Sequence, residues 1–346
     1  MPEAAFRTGD VEVAAGRLLG RAVERAEPAA PGGNNRVYRI VAGGEAFALK
    51  FYPHRQDDPR DRLGHEFQAL RFLTGRGVHC VPAAVAADPH LGCAAYQWIE
   101  GTSVDAPDRD DIDAALALAA TLKALSGAGE AESLPAAAEA CLSAAELERQ
   151  VAARLTALRA PAAGDDVLVE FLSKEFVPAF ERWTGRARAR YRARGADFAA
   201  GIGKARRTLS PSDFGFHNAI RRPGGDICFI DFEYFGWDDP VRLVADFVLH
   251  PGHRLDRAAS GRFAGGAHEL FDDDPEYEVR LQALYPLVGL RWCMILLGEY
   301  LPGGLAKRRF AGRVGDAAKT RAGQLAKARA LLQRLSASDG SFPFGG

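Results

Sequence analysis

Ser210-Pro-Ser-Asp213-Phe-Gly-Phe-His-Asn218 is followed, after one short hairpin, by Phe229-Ile-Asp231-Phe-Glu233. Together they set out a carboxylate, an amide five residues later, and a second carboxylate closing an apolar strand. Phosphoryl transfer needs these groups at about this spacing. One Asp takes the proton of an incoming hydroxyl, while an Asn and a second Asp hold Mg²⁺ against nucleotide phosphates.

Asp231 carries the most weight. It follows the apolar run Ile227-Cys-Phe-Ile230, so its carboxylate stands at the end of a buried strand. Without a cation or donors that placement is destabilising, and a bound Mg²⁺ supplies the partner. Asp213 and Asn218, each taken alone, also fit a helix cap or an Asx-turn. The three together favour function over coincidence.

Far upstream lies Ala46-Phe-Ala-Leu-Lys-Phe-Tyr52. Strand alternation puts Phe47, Leu49 and Phe51 on one face, and Ala46, Ala48, Lys50 and Tyr52 on the other. A flat ring fits near the small Ala48 while the Lys50 ammonium reaches phosphates. On the helix that follows, Leu63, Phe67, Leu70 and Leu73 form an apolar stripe with Glu66 inside it. A carboxylate facing a core is costly unless paired, and Lys50 is the nearest plausible partner. Gly32-Gly33-Asn34-Asn35 opens the hairpin that carries Lys50. Its glycines permit close backbone approach to phosphate, although a purely structural turn has the same composition.

The chain has 346 residues, 47% hydrophobic and 26% charged, with a net charge of −1. It has ample material for a core and no global electrostatic footprint for nucleic acid or an acidic membrane surface. Length suggests about two domains. Five scattered Cys with no Cys-x-x-Cys pair argue against a disulfide framework or a zinc site and fit a reducing compartment. The N-terminus has no signal-like apolar stretch, and Leu284 to Leu301, interrupted by Arg291 and Glu299, reads as a buried helix. These features predict a cytoplasmic enzyme or binding protein.

Arg36 to Tyr52 reads as strand, Gly43-Gly44 turn, strand. Asp57 to Gly75 reads as a helix, and Val81 to Ala87 and Ala94 to Ile99 as further strands. After Gly101 the character changes. Ile112 to Leu125, Ser143 to Leu158 and Val167 to Arg194 are long helical stretches, and helical patterns resume from Pro240, ending in a tail from Asp339 predicted to fray. The expected division is residues 1–100 as a β-rich lobe with one main helix and residues 101–346 as a larger helical lobe carrying the polar loops at about 209–240. Ligands favour the seam between such lobes.

Other residues read more plainly. His250-Pro-Gly-His253 has no third ligand nearby in sequence and reads as a turn rather than a metal site. His217 fits a phosphate contact and a solvated turn equally. The basic run Arg182, Arg186, Arg188, Arg190, Arg192 and Arg194 reads as a solvated helix face, with help for an anionic substrate as the lesser reading.

The ordered set resembles the aminoglycoside phosphotransferase and choline kinase group, small-molecule kinases with a protein-kinase-like fold. The resemblance runs from about Gly32 to Asp246. Gly32 to Asn35 is similar to the nucleotide loop, Ala48-Leu-Lys50 to the strand with the phosphate-binding Lys, and Glu66 to its helical partner. Tyr96-Gln-Trp-Ile-Glu-Gly101 is similar to the hinge, Asp213 to Asn218 to the catalytic loop, and Ile230 to Glu233 to the metal-binding segment. Trp237-Asp-Asp-Pro240 resembles the family's Gly-Asp-Pro element. The resemblance implies a two-lobed α+β fold and an ATP-dependent or GTP-dependent transfer of the γ-phosphate to a small-molecule hydroxyl. It implies Asp213 as catalytic base, Asn218 and Asp231 as Mg²⁺ ligands, and Lys50 on the α and β phosphates. Backbone groups from Gln97 to Ile99 would hold the base.

Three departures stand out. The family's usual His-Gly before the catalytic Asp is Pro211-Ser212 here, which predicts altered packing rather than lost activity. Its Asp-Pro-x-x-Asp spacing is not kept, since the next Asp after Pro240 is Asp246. The catalytic loop also differs from that of the antibiotic-modifying members. The acceptor therefore stays open among a sugar, an amino alcohol and an aminoglycoside, with no nucleic-acid or membrane partner expected. A nucleotide-binding pseudokinase scaffold is the alternative, although the full set Lys50, Glu66, Asp213, Asn218 and Asp231 is retained. A protein kinase is disfavoured by the absence of an Ala-Pro-Glu element and of a long activation segment before Pro240.

Overall fold

The computed structural model describes residues 8–29, 35–53, 60–304 and 316–342. It divides into two compact units. The first holds the described residues up to Val104 together with Asn218–Phe235. The second holds Asp105–His217, Gly236–Gly304 and the described residues from Asp316 onward.

In the first unit, helix α1 (Thr8–Leu19) precedes an antiparallel five-stranded sheet. Its strands are β1 (Val23–Pro28), β2 (Arg36–Ala42), β3 (Glu45–Phe51), β4 (Ala84–Asp88) and β5 (Cys93–Gln97), in the order β1-β2-β3-β5-β4. Gly43 and Gly44 both adopt left-handed φ (61° and 74°), which closes the β2–β3 hairpin tightly. Phe47, Leu49 and Phe51 bury the expected face of β3 against Val11, Ala14 and Ala15 of α1. Helix α2 (Arg62–Gly75) begins at Asp61, whose carboxylate accepts the Gly64 N–H. The expected start at Asp57 lies outside the described residues.

A small second sheet completes this unit. It comprises β6 (Thr102–Ser103), β8 (Ala219–Arg221) and β9 (Ile227–Phe229), in the order β6-β8-β9. Gly101 makes its close approach possible, because a Cβ there would lie 2.1 Å from the Arg221 carbonyl oxygen.

The second unit is helical: α3 (Arg109–Ser126), α4 (Ala144–Ala162), α5 (Asp166–Glu170), α6 (Val177–Ala193), α7 (Pro240–Leu249), α8 (Arg257–Leu270), α9 (Tyr277–Leu296) and α10 (Ala317–Ala337). The expected single helix from Val167 to Arg194 is interrupted by a π-turn at Phe171–Phe176. Helix α9 packs against α4, α6, α7 and α10. The segment Tyr277–Tyr300 is long and apolar enough to cross a membrane, yet 83% of its apolar stretch is buried inside the protein. Strands β7 (Thr208–Ser210) and β10 (Gly236–Asp238) pair antiparallel and frame the polar turn. The tail differs from expectation up to Phe342, which is buried edge-on against Tyr285.

Candidate active site

Lys50 is 6% exposed, far below an ordinary strand Lys, and its surroundings explain why. Its Nζ donates to Glu66 Oε2 at 2.6 Å and to Asp231 Oδ1 at 2.5 Å, with Glu233 Oε2 4.0 Å away. Burial alone would lower the ammonium's pKa, but Asp231, Glu66 and Glu233 outweigh it and hold it well above its ordinary value. Glu66 also accepts from the Tyr52 hydroxyl at 2.7 Å and from the Phe232 N–H at 3.2 Å. The carboxylate inside the apolar stripe of α2 is therefore paired several times over, as its burial requires.

Asp231 adopts φ 69°, a left-handed conformation that a non-glycine residue keeps only when its surroundings over-determine it. Burial, followed by the neighbouring Glu233 and Glu66, pushes its carboxyl up to about 7 despite Lys50. The carboxylate oxygens of Glu66, Asp231 and Glu233 lie within 4.8 Å of one another. Hard oxygen donors crowded in this way suit a divalent cation such as Mg²⁺, which would relieve their mutual repulsion. Asn218 stands beside Asp231 in the same hairpin. Its carbonyl accepts the N–H of Ile230, and Ala219 pairs with Phe229.

Glu233, which has no assigned role in the motif, is also part of this cluster. Its side chain is 1% exposed and accepts from Asn35 Nδ2 at 2.7 Å and Arg62 Nη1 at 3.1 Å. A second carboxylate two residues after Asp231 was the available signal. Asn35 is thus turned toward a carboxylate, while Gly32, Gly33 and Asn34 lie outside the described residues. Ala48 is half-buried and pairs with Tyr96 across the sheet. The Gln97 N–H donates to the Ala83 carbonyl at 2.8 Å, and Ile99 is buried.

In the second unit, Asp213 sits in the turn after β7. Ser212, which precedes it, has φ 63°. Asp213 Oδ1 is 3.1 Å from His217 Nε2 and 2.8 Å from His250 Nε2. Burial would raise this carboxyl, but the two imidazoles outweigh it and hold it well below the usual range. His217, His250 and His253 gather here, so a third histidine does reach the His250–His253 turn, which sequence neighbours alone did not reveal. Asp246 is buried. It accepts from Arg242 Nε at 3.0 Å and Trp292 Nε1 at 2.8 Å. The six arginines of the basic run are exposed, and Arg186 and Arg188 pair with Asp339 and Glu148.

Residues 25–279 match the phosphotransferase enzyme family. The chain belongs to the phosphotransferase enzyme family. Among curated proteins, no sequence matches it. Solved structures agree on the fold. Spectinomycin phosphotransferase, in complex with ADP and spectinomycin, is 12% identical, with a TM-score of 0.62 over 95% of this chain and 100% of that one. Choline kinase from Cryptosporidium parvum Iowa II is 8% identical, with a TM-score of 0.56 over 91% and 90%. Choline kinase LicA from Streptococcus pneumoniae is 14% identical, with a TM-score of 0.53 over 90% and 94%. The phosphotransferase described here thus has the protein-kinase-like α+β fold.

Proposed function

We propose that this phosphotransferase moves the γ-phosphate of ATP, or of GTP, to the hydroxyl of a small sugar or sugar-derived alcohol. The buried Lys50, shared by Glu66 and Asp231, is the observation that carries the reading. A lysine anchored in this way presents a fixed positive charge suited to the α and β phosphates. The ADP in the spectinomycin phosphotransferase structure supports nucleotide use.

In this reading Asn218 and Asp231 hold Mg²⁺, which supplies charge neutralisation on the phosphates. Asp213, kept ionised by His217 and His250, takes the proton of the acceptor hydroxyl as the new P–O bond forms. Gly32, Gly33, Asn34, Asn35 and Ala48 and the backbone from Gln97 to Ile99 contribute to nucleotide binding. Positioning and electrostatics supply most of the acceleration.

The acidic stretch from Asp272 to Glu278 would by itself suit a polycationic acceptor, but two of its carboxylates are already paired, which favours a sugar. Asp273 is paired with Lys123 at 2.7 Å, and Asp274 with Arg280 at 2.6 Å. Those carboxylates are therefore engaged within the fold.

A panel of alcohols with γ-labelled ATP and GTP tests this reading. Label should move to a sugar-type hydroxyl, and Asp213→Asn should lower turnover by about 10²–10⁴-fold with nucleotide binding retained. Undiminished turnover in that variant would remove Asp213 from the chemistry. Nucleotide binding with no transfer to any alcohol would favour a scaffold.

A further inference from the structure

Three imidazoles surround the Asp213 turn, and their geometry separates two uses for them. The ligand nitrogens of His217, His250 and His253 lie within 4.8 Å of one another, which suggests a metal. The rings argue against it. His217 and His250 stack with centroids 3.8 Å apart and planes 4° apart, so their lone pairs lie in separate parallel planes and cannot both point straight at one ion. His253 has both nitrogens engaged: Nδ1 accepts the Phe216 N–H at 3.1 Å, and Nε2 pairs with the Phe247 carbonyl at 2.7 Å.

The alternative is mechanical. His250 Nδ1 accepts the Gly252 N–H at 2.9 Å. In the neutral ring the proton must then sit on Nε2, the nitrogen 2.8 Å from Asp213 Oδ1. Burial lowers the His250 pKa and favours that neutral form. Trp292 stands edge-on to the ring at 4.3 Å and is itself fixed through Nε1 to Asp246. By contrast, His217 Nδ1 has no hydrogen-bond partner among the described residues, so that ring is held by Asp213 and by its stacking on His250, with no second hydrogen bond to set its tautomer. His250 Nε2 lies 2.8 Å from Asp213 Oδ1 without meeting hydrogen-bond geometry, as is common for catalytic contacts before substrate is bound.

We propose that His250 is the positioning residue for Asp213, its tautomer set by Gly252 and its ring by Trp292, so that Nε2–H fixes the rotation of the carboxylate. The inference rests on the reading of Asp213 as the base. It locates the support of the turn beyond α7, in a chain that carries Pro211-Ser212 immediately before Asp213.

Two substitutions separate positioning from simple turn support. His250→Asn keeps an acceptor where Nδ1 stood, for Gly252, but cannot reach Asp213. His250→Gln places an amide donor near the Nε2 position and gives up the Gly252 acceptor. With MgATP as donor and water as acceptor, H250N should lose about 10²-fold in kcat with KM for ATP within about twofold, and H250Q should recover at least about tenfold of that loss. The reverse order, or wild-type kcat in H250N, overturns the proposal. Asp213→Asn is run alongside. If it retains turnover, the reading of Asp213 fails; if it falls while H250N does not, only the role of His250 fails. Ring ¹⁵N spectra of the wild-type protein decide independently of activity and of variant folding. His250 should be the Nε2–H tautomer, and a Nδ1–H tautomer would overturn the proposal.

Discussion

Lys50 and Asp231 meet at 2.5 Å although 181 residues separate them in the chain. Glu66 completes the contact at 2.6 Å. A lysine in this setting neutralises carboxylates that the fold has already buried. Removing it leaves them uncompensated, which is the costly half of a buried ion pair. Lys50→Met should therefore destabilise the protein by about 3–5 kcal/mol, read as a drop in urea midpoint with little change in slope. A midpoint within experimental error of wild type would show that the cluster relaxes without its cation.

Ser212 adopts φ 63°, and its hydroxyl is buried without a partner among the described residues. A side chain in the left-handed region costs roughly 1–2 kcal/mol, offset partly by the greater freedom of glycine in the unfolded chain. Ser212→Gly should stabilise the protein by up to about 1 kcal/mol and preserve turnover. Thermal unfolding measures the first effect, and clear destabilisation would mean that the Ser212 side chain supports the turn in some further way.

Burial pushes the His253 imidazole down to about 3, and the neighbouring His250 adds to the shift. The unfolded chain then binds more protons than the folded one between about pH 3 and the ordinary histidine value near 6.5. Stability contributed by neutral His253 is present above that upper value and is lost as pH falls toward 3. Protonation would also remove the acceptor of the Phe216 N–H. His253→Leu should therefore destabilise more at pH 7.5 than at pH 4.5, by comparison with wild type in denaturant titrations. A penalty that does not shrink in acid would contradict the assignment.

How much of this was legible in the sequence depends on the range over which each signal acts. The face of β3 and the placement of Glu66 were readable because alternation and helical spacing are local. Phe47, Leu49 and Phe51 had to bury together, and Glu66 had to find a cation. Strand β1 was missed because it is an edge strand, Val23-Glu-Arg-Ala-Glu-Pro28, with too many charges to alternate. Helix α1 was missed because Val11, Ala14 and Ala15 make a narrow stripe of mostly small side chains. The partnerships of Glu233 with Asn35 and Arg62, and of Asp213 with His250, join segments far apart in sequence, and no periodicity announces them. The tail from Asp339 was expected to fray as chain termini do. The burial of Phe342 against Tyr285 depends on a tertiary contact.

The most direct test of the account is calorimetric titration of ATP into wild type and Asp231→Asn, each with and without Mg²⁺. The account predicts Mg²⁺-dependent binding to wild type, and a loss of that dependence in the variant, whose folding is verified by its thermal transition. Equal affinity in all four titrations, or no nucleotide binding at all, would contradict the claim that the Lys50–Glu66–Asp231 cluster receives a magnesium nucleotide.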